Sequence, residues 1–173
     1  MDWPRTNWVV PTVISTASRE SIGQNFVRSN PGSGTWPANN RALFVPIVLP
    51  GPVRVKRLFA VNGAAASGNI DMGLYRQDGV KIITAGSTMQ TGTNQPQFFN
   101  ITDTDLAPGR YYLAIALSST VGTNYRWNFP LGLMQLTGLA QMASAFALPD
   151  PITFTQAANA YMPWCGMEIG RVL

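Results

Sequence analysis

The chain has 173 residues, enough for one domain with a sizeable core. It is 46% apolar but only 12% charged, about half the roughly 25% of an ordinary globular protein, which excludes a disordered chain and demands a surface of Asn, Gln, Ser, Thr and Gly, partly buried against other subunits. The net charge of +4 comes from ten Arg and two Lys against eight acids; these bases are scattered apart from Arg54, Lys56 and Arg57, which argues against a nucleic-acid surface.

Residues 1–40 read as an extended N-terminal arm. They combine isolated hydrophobics with the breaker-rich passage SNPGSGTWPANN and show no periodicity. Trp3, Trp8 and Trp36 are large aromatic surfaces that gain nothing from water. They either fold back onto the domain or anchor a neighbouring chain, a setting in which Trp is enriched. The opening MDWPRTNWVVPTVIST has no apolar run long enough for a signal peptide. No stretch approaches the roughly 20 apolar residues of a membrane helix. The expectation is a chain made and folded in the cytoplasm of the expressing cell.

From Arg41 to Leu173 the signals are those of strands. RALFVPIVL is closed by Pro50-Gly51-Pro52, and VRVKRLFAV follows, with Arg54 and Lys56 on one face and Val53, Val55 and Arg57 on the other. IDMGLY sets Ile70, Met72 and Leu74 against Asp71, Gly73 and Tyr75, and Asp78-Gly79 turns the chain into VKIITAG, the clearest hairpin signal present. QFFNIT is another strand, and DTDLAPG is a turn-rich loop. RYYLAIALS is apolar on both faces, as a central strand covered on two sides requires. NYRWNF reads as a further strand, LGLMQLTGLAQMASAFALP as a marginal helix or a loop with one helical turn, and AYMPWCGMEIGRVL as the last strand. Six to eight short strands with Gly/Pro turns predict an all-β antiparallel sandwich or jelly roll over 41–173.

Chemistry is hard to assemble from these residues. There is no histidine, the commonest general base, and the single Cys165 reads as a small buried apolar side chain. Asp78 and Asp150 are turn residues, and Asp103 and Asp105 in TDTDL read as loop residues bonding nearby backbone, with calcium as the functional rival. Asp71 lies within a strand and reads as an exposed sheet residue paired with an Arg. A glycosidase would need it and a second acid across one cleft. GSG at 32–34 lacks the context of a phosphate loop. The expectation is a non-enzymatic protein with no catalytic, cofactor-binding or metal-binding residues. Tyr125, Arg126 and Trp127 remain as residues that line either a sugar-binding surface or a core or subunit interface.

The run RALFVPIVLPGPVRVKRLFAVNGAAASGNIDMGLYRQDGVKIITAGSTMQTGTNQPQFFNITDTDLAPGRYYLAIALS resembles a β-sandwich module found among the virion genes of tailed bacteriophages. There a strand ending in NG leads to GNIDMGLY, a DG hairpin and APGRYYLA. The resemblance spans roughly residues 41–118 and rests on structural motifs. It implies a virion structural protein attached to the tail, alternatively a capsid decoration protein, present as a homo-oligomer or in symmetric copies. Its partners would be other virion proteins, reached through the arm around Trp3, Trp8 and Trp36. A carbohydrate- or receptor-binding module, with a host-surface glycan as ligand at Tyr125, Arg126 and Trp127, is the further alternative.

Overall fold

The structure, a computed structural model, describes the backbone of Asn7–Val9 and residues 31–169. Alternation of apolar residues produces strands almost throughout, and all named pairings are antiparallel. The largest sheet centres on β9 (Gly109–Leu117), which pairs in full register with β3 (Arg41–Leu49) on one side and with β5 (Asn69–Arg76) on the other. Outward from β3 come β11 (Ala140–Met142) and β12 (Thr155–Gln156). Beyond β5 come β6 (Lys81–Thr84) and the two-residue β7 (Thr88–Met89). A second sheet has the order β1 (Asn7–Val9), β14 (Cys165–Ile169), β4 (Val53–Val61), β8 (Pro96–Leu106). A small third sheet sets β10 (Thr123–Asn128) between β13 (Tyr161–Pro163) and β2 (Gly32–Thr35). Among the described residues the one helix, α1 (Leu131–Leu136), lasts six residues; Pro130 precedes it and Gly138 follows in the left-handed region.

The largest and second sheets face each other across one core. Leu43, Val45 and Ile47 of β3, Ile70, Met72 and Leu74 of β5 and Leu113, Ile115 and Leu117 of β9 meet Val55, Leu58 and Ala60 of β4 and Cys165 and Met167 of β14. The all-β sandwich expected from the alternation is therefore what forms. The opposite face of the largest sheet is also buried. Across it Phe44, Ala114 and Gly73 stand in one row, and the small members leave room for a ring cluster. Phe44 lies edge-on to Tyr75 at 5.5 Å and to Phe154 at 5.3 Å, and Phe154 lies 4.3 Å from Tyr112. The segment 143–154 lies over these rings as a strap, contributing Ala145, Leu148 and Ile152.

Polar bonds fasten the strap. The Tyr75 hydroxyl donates to the Pro149 carbonyl at 2.6 Å, the Lys81 ammonium to the Leu148 carbonyl at 2.9 Å, and the Ile152 N–H to the Gly79 carbonyl at 3.0 Å. Gly79 adopts φ 88° in the Asp78-Gly79 turn, and Asp78 accepts the Val80 N–H. Burial desolvates the Tyr75 phenol and pushes its pKa upward.

Several expectations need correction. Asp71 is not an exposed, Arg-paired residue: it is 1% exposed, accepting from the Thr84 hydroxyl at 2.6 Å and from the Leu148 N–H at 3.0 Å. Its face of β5 is covered by the strap, which no local pattern announces. Arg57 does not share a face with Val53 and Val55, because a bulge between Val55 and Arg57 shifts the register and brings it out to pair with Glu168. Asp103 and Asp105 lie within the eleven-residue β8, and Asp105 stands directly opposite Arg54, bound by two bonds of 2.6 and 2.7 Å. Arg54 is the main reason that the Asp105 carboxyl is held below its usual range.

The boundary expected at residue 40 falls inside the folded domain, since β2 is a sheet member and Trp36 belongs to the main core at 2% exposure. Trp36 takes the fold-back alternative, not the neighbour-anchoring one. Its indole N–H donates to the Arg41 carbonyl at 2.7 Å, so its ring has no face left for another chain. Trp3 lies outside the described residues. Trp8 is placed only as the middle of β1, opposite Glu168.

Candidate functional site

The third sheet carries the residues singled out in NYRWNF. Alternation sends Tyr125 and Trp127 to one face of β10 and Arg126 to the other. On the aromatic face both rings meet Trp164, Trp127 at 5.3 Å and Tyr125 at 6.4 Å, while the Trp164 backbone N–H donates to the Tyr125 carbonyl at 2.8 Å. All three side chains are half-buried, so they form a platform with solvent-facing ring surface. Such a platform can stack against a flat apolar face, including that of a sugar ring. Trp164 escaped sequence reasoning because it lies between two strands and joins Tyr125 and Trp127 only through β10–β13 pairing.

Arg126 does not stand beside these rings as a donor. Its guanidinium lies 4.0 Å from the centre of the Tyr161 ring and donates to the Thr35 carbonyl at 2.7 Å. Gly34 makes this possible, since a Cβ there would collide with the Arg126 side chain. The tripeptide Tyr125-Arg126-Trp127 is thus divided between two surfaces.

Other polar groups have structural partners. Buried Gln90 donates from its amide to the Asn62 side chain at 3.0 Å and to the Thr123 carbonyl at 2.8 Å, and accepts from the Ser67 N–H. Asn62 donates in turn to the Thr91 carbonyl and to Gln97. These bonds tie three loops together, which explains buried amides in a chain short of charge. Burial pushes the Cys165 thiol up to about 12, the environment of an inert cysteine. An open groove of about 350 Å³ at one end of the sandwich is lined by Arg76, Lys81, Asp105 and Tyr111, among others. Arg76, Lys81 and Asp105 there are occupied by Asp78, Leu148 and Arg54. Among the described residues no group of three His, Cys, Asp or Glu could hold a metal ion, and no helix is long and apolar enough to cross a membrane.

Comparison with protein-family models, with curated proteins and with solved structures gives no match.

Proposed function

We propose that this chain is a non-enzymatic structural protein of a tailed-bacteriophage virion, attached to the tail through its N-terminal segment. The observation that supports this reading most directly is the use made of Asp71. The acid hardest to dismiss from the sequence is buried and consumed in fastening the strap over the largest sheet. The run that resembles the phage module supplies β3 through β9, the scaffold itself, and the short β1 lies at the edge of the second sheet, beside β14. Such a scaffold would present its partner contacts at edges and termini, in symmetric copies. Capsid decoration is the alternative location. An epitope-tagged chain followed into purified particles by immunogold microscopy tests both: label at the tail is expected, label over the capsid shell selects decoration, and particles without the chain overturn the virion reading.

The platform of Tyr125, Trp127 and Trp164 favours one second reading, a host-surface glycan as ligand. A glycan array probed with the wild-type chain should then show binding that Trp127→Ala abolishes. An array without signal sinks this reading and leaves the platform as a contact between subunits.

A further inference from the structure

We propose that Arg41, Arg126 and the Tyr161 hydroxyl form a binding site for a sulfate or phosphate group. The site lies where the third sheet meets the start of β3. Arg126 reaches it from β10, lying over the Tyr161 ring and bonding the Thr35 carbonyl. The next residue, Trp36, holds the Arg41 carbonyl through its indole, fixing Arg41 at the same junction. Both guanidiniums act electrostatically on the Tyr161 phenol and favour its ionised form.

What marks the junction is unmet bonding capacity. The Arg41 Nε and the Tyr161 hydroxyl are both buried without a hydrogen-bond partner, and Tyr161 is 7% exposed. Arg126 covers the ring face, its guanidinium 4.0 Å from the ring centre. A buried unpaired donor is destabilising, so two beside two cations make a place that a ligand would relieve. The described carboxylates are engaged elsewhere: Asp105, Glu168 and Asp78 pair with Arg54, Arg57 and Arg76, Asp103 acts on Arg54, and Asp71 and Asp150 accept bonds at the strap and its hairpin. Arg41 and Arg126 are half-buried, so solvent reaches part of each residue beside the buried atoms. Two positive charges and a neutral hydroxyl donor match a doubly charged tetrahedral oxyanion better than a carboxylate, and guanidinium forks bind such groups through paired N–H bonds. The site is independent of the virion reading.

Calorimetric titration of the full chain with sodium sulfate and with sodium phosphate, each against sodium chloride at equal ionic strength, tests this. One saturable site is expected, with acetate about tenfold weaker or more, and Arg41→Gln and Arg126→Gln each weakening sulfate about tenfold. Tyr161→Phe, which keeps the ring beneath Arg126, should weaken it less. In parallel, the arginine Nε–Hε resonances of the wild-type chain report on the site without any substitution. Those of Arg41 and Arg126 should shift along the same saturation curve. Absence of saturable binding to the wild type, or saturation during which both resonances stay still, overturns the proposal.

Discussion

Asp71 stands opposite Ala116 in the largest sheet, and its carboxylate is spent on the Thr84 hydroxyl and the Leu148 N–H. Removing it leaves a buried N–H and a half-buried hydroxyl without their acceptor at once. Asp71→Ala should therefore cost about 3 kcal/mol in urea unfolding, and Asp71→Asn, which keeps one acceptor, noticeably less. Cys165 makes a prediction of a different kind. Its thiol ionises at about 12 when folded, against an ordinary value of 9.0, so above pH 9 the folded chain holds a proton that the unfolded chain releases. Stability is complete below pH 9 and falls as pH rises toward 12. Between pH 9 and 10 the thiol's share of the loss should be roughly 1 kcal/mol. Cys165→Ala should flatten that part of the profile in urea unfolding repeated across the pH range. The raised Tyr75 and Tyr161 phenols keep their own decline at higher pH.

At the scale of elements, the strap and the β5–β6 hairpin depend on each other. Gly79 has φ 88°, and a Cβ there would also strike the Ile152 carbonyl of the strap. Gly86 has φ 75° but open space around its Cβ position. Gly86→Ala should then cost about 1 kcal/mol, for backbone strain alone. Gly79→Ala should cost more, about 2–3 kcal/mol, because the strap must shift as well; thermal unfolding of the two variants side by side checks the order. The hairpin itself was legible in Asp78-Gly79, since that turn chemistry is local. The strap was not, because ALPDPITF is irregular backbone whose apolar residues acquire meaning only against Phe44, Tyr75 and Tyr112. The bulge at Val55 and Arg57 was equally hidden, as one extra residue changes faces without changing composition.

For the whole molecule, the question is where the domain begins. Trp36 fills the main core and β2 pairs with β10, so the domain needs residues that sequence reasoning assigned to an arm. A chain lacking residues 1–30 gives up the three-residue edge strand β1 but keeps Trp36 and β2 and should still fold, whereas one lacking 1–40 forfeits Trp36 and β2 as well and should lose about 4 kcal/mol more or fail to fold, as far-UV circular dichroism and urea unfolding would show. Of the candidate contact residues, Tyr125 and Trp127 were legible as an alternating aromatic pair, and the same alternation turns Arg126 away from them; Trp164 joining them follows from β-strand pairing across more than thirty residues. The sequence by itself determined the strands, the hairpin turn and the doubly apolar centre at β9, because alternation and turn chemistry act over a few neighbouring residues. Only the tertiary structure decided which charged and aromatic side chains are spent inside and which face outward. That choice depends on what packs over each face, and the strap, the bulge and Trp36 are all supplied from distant parts of the chain.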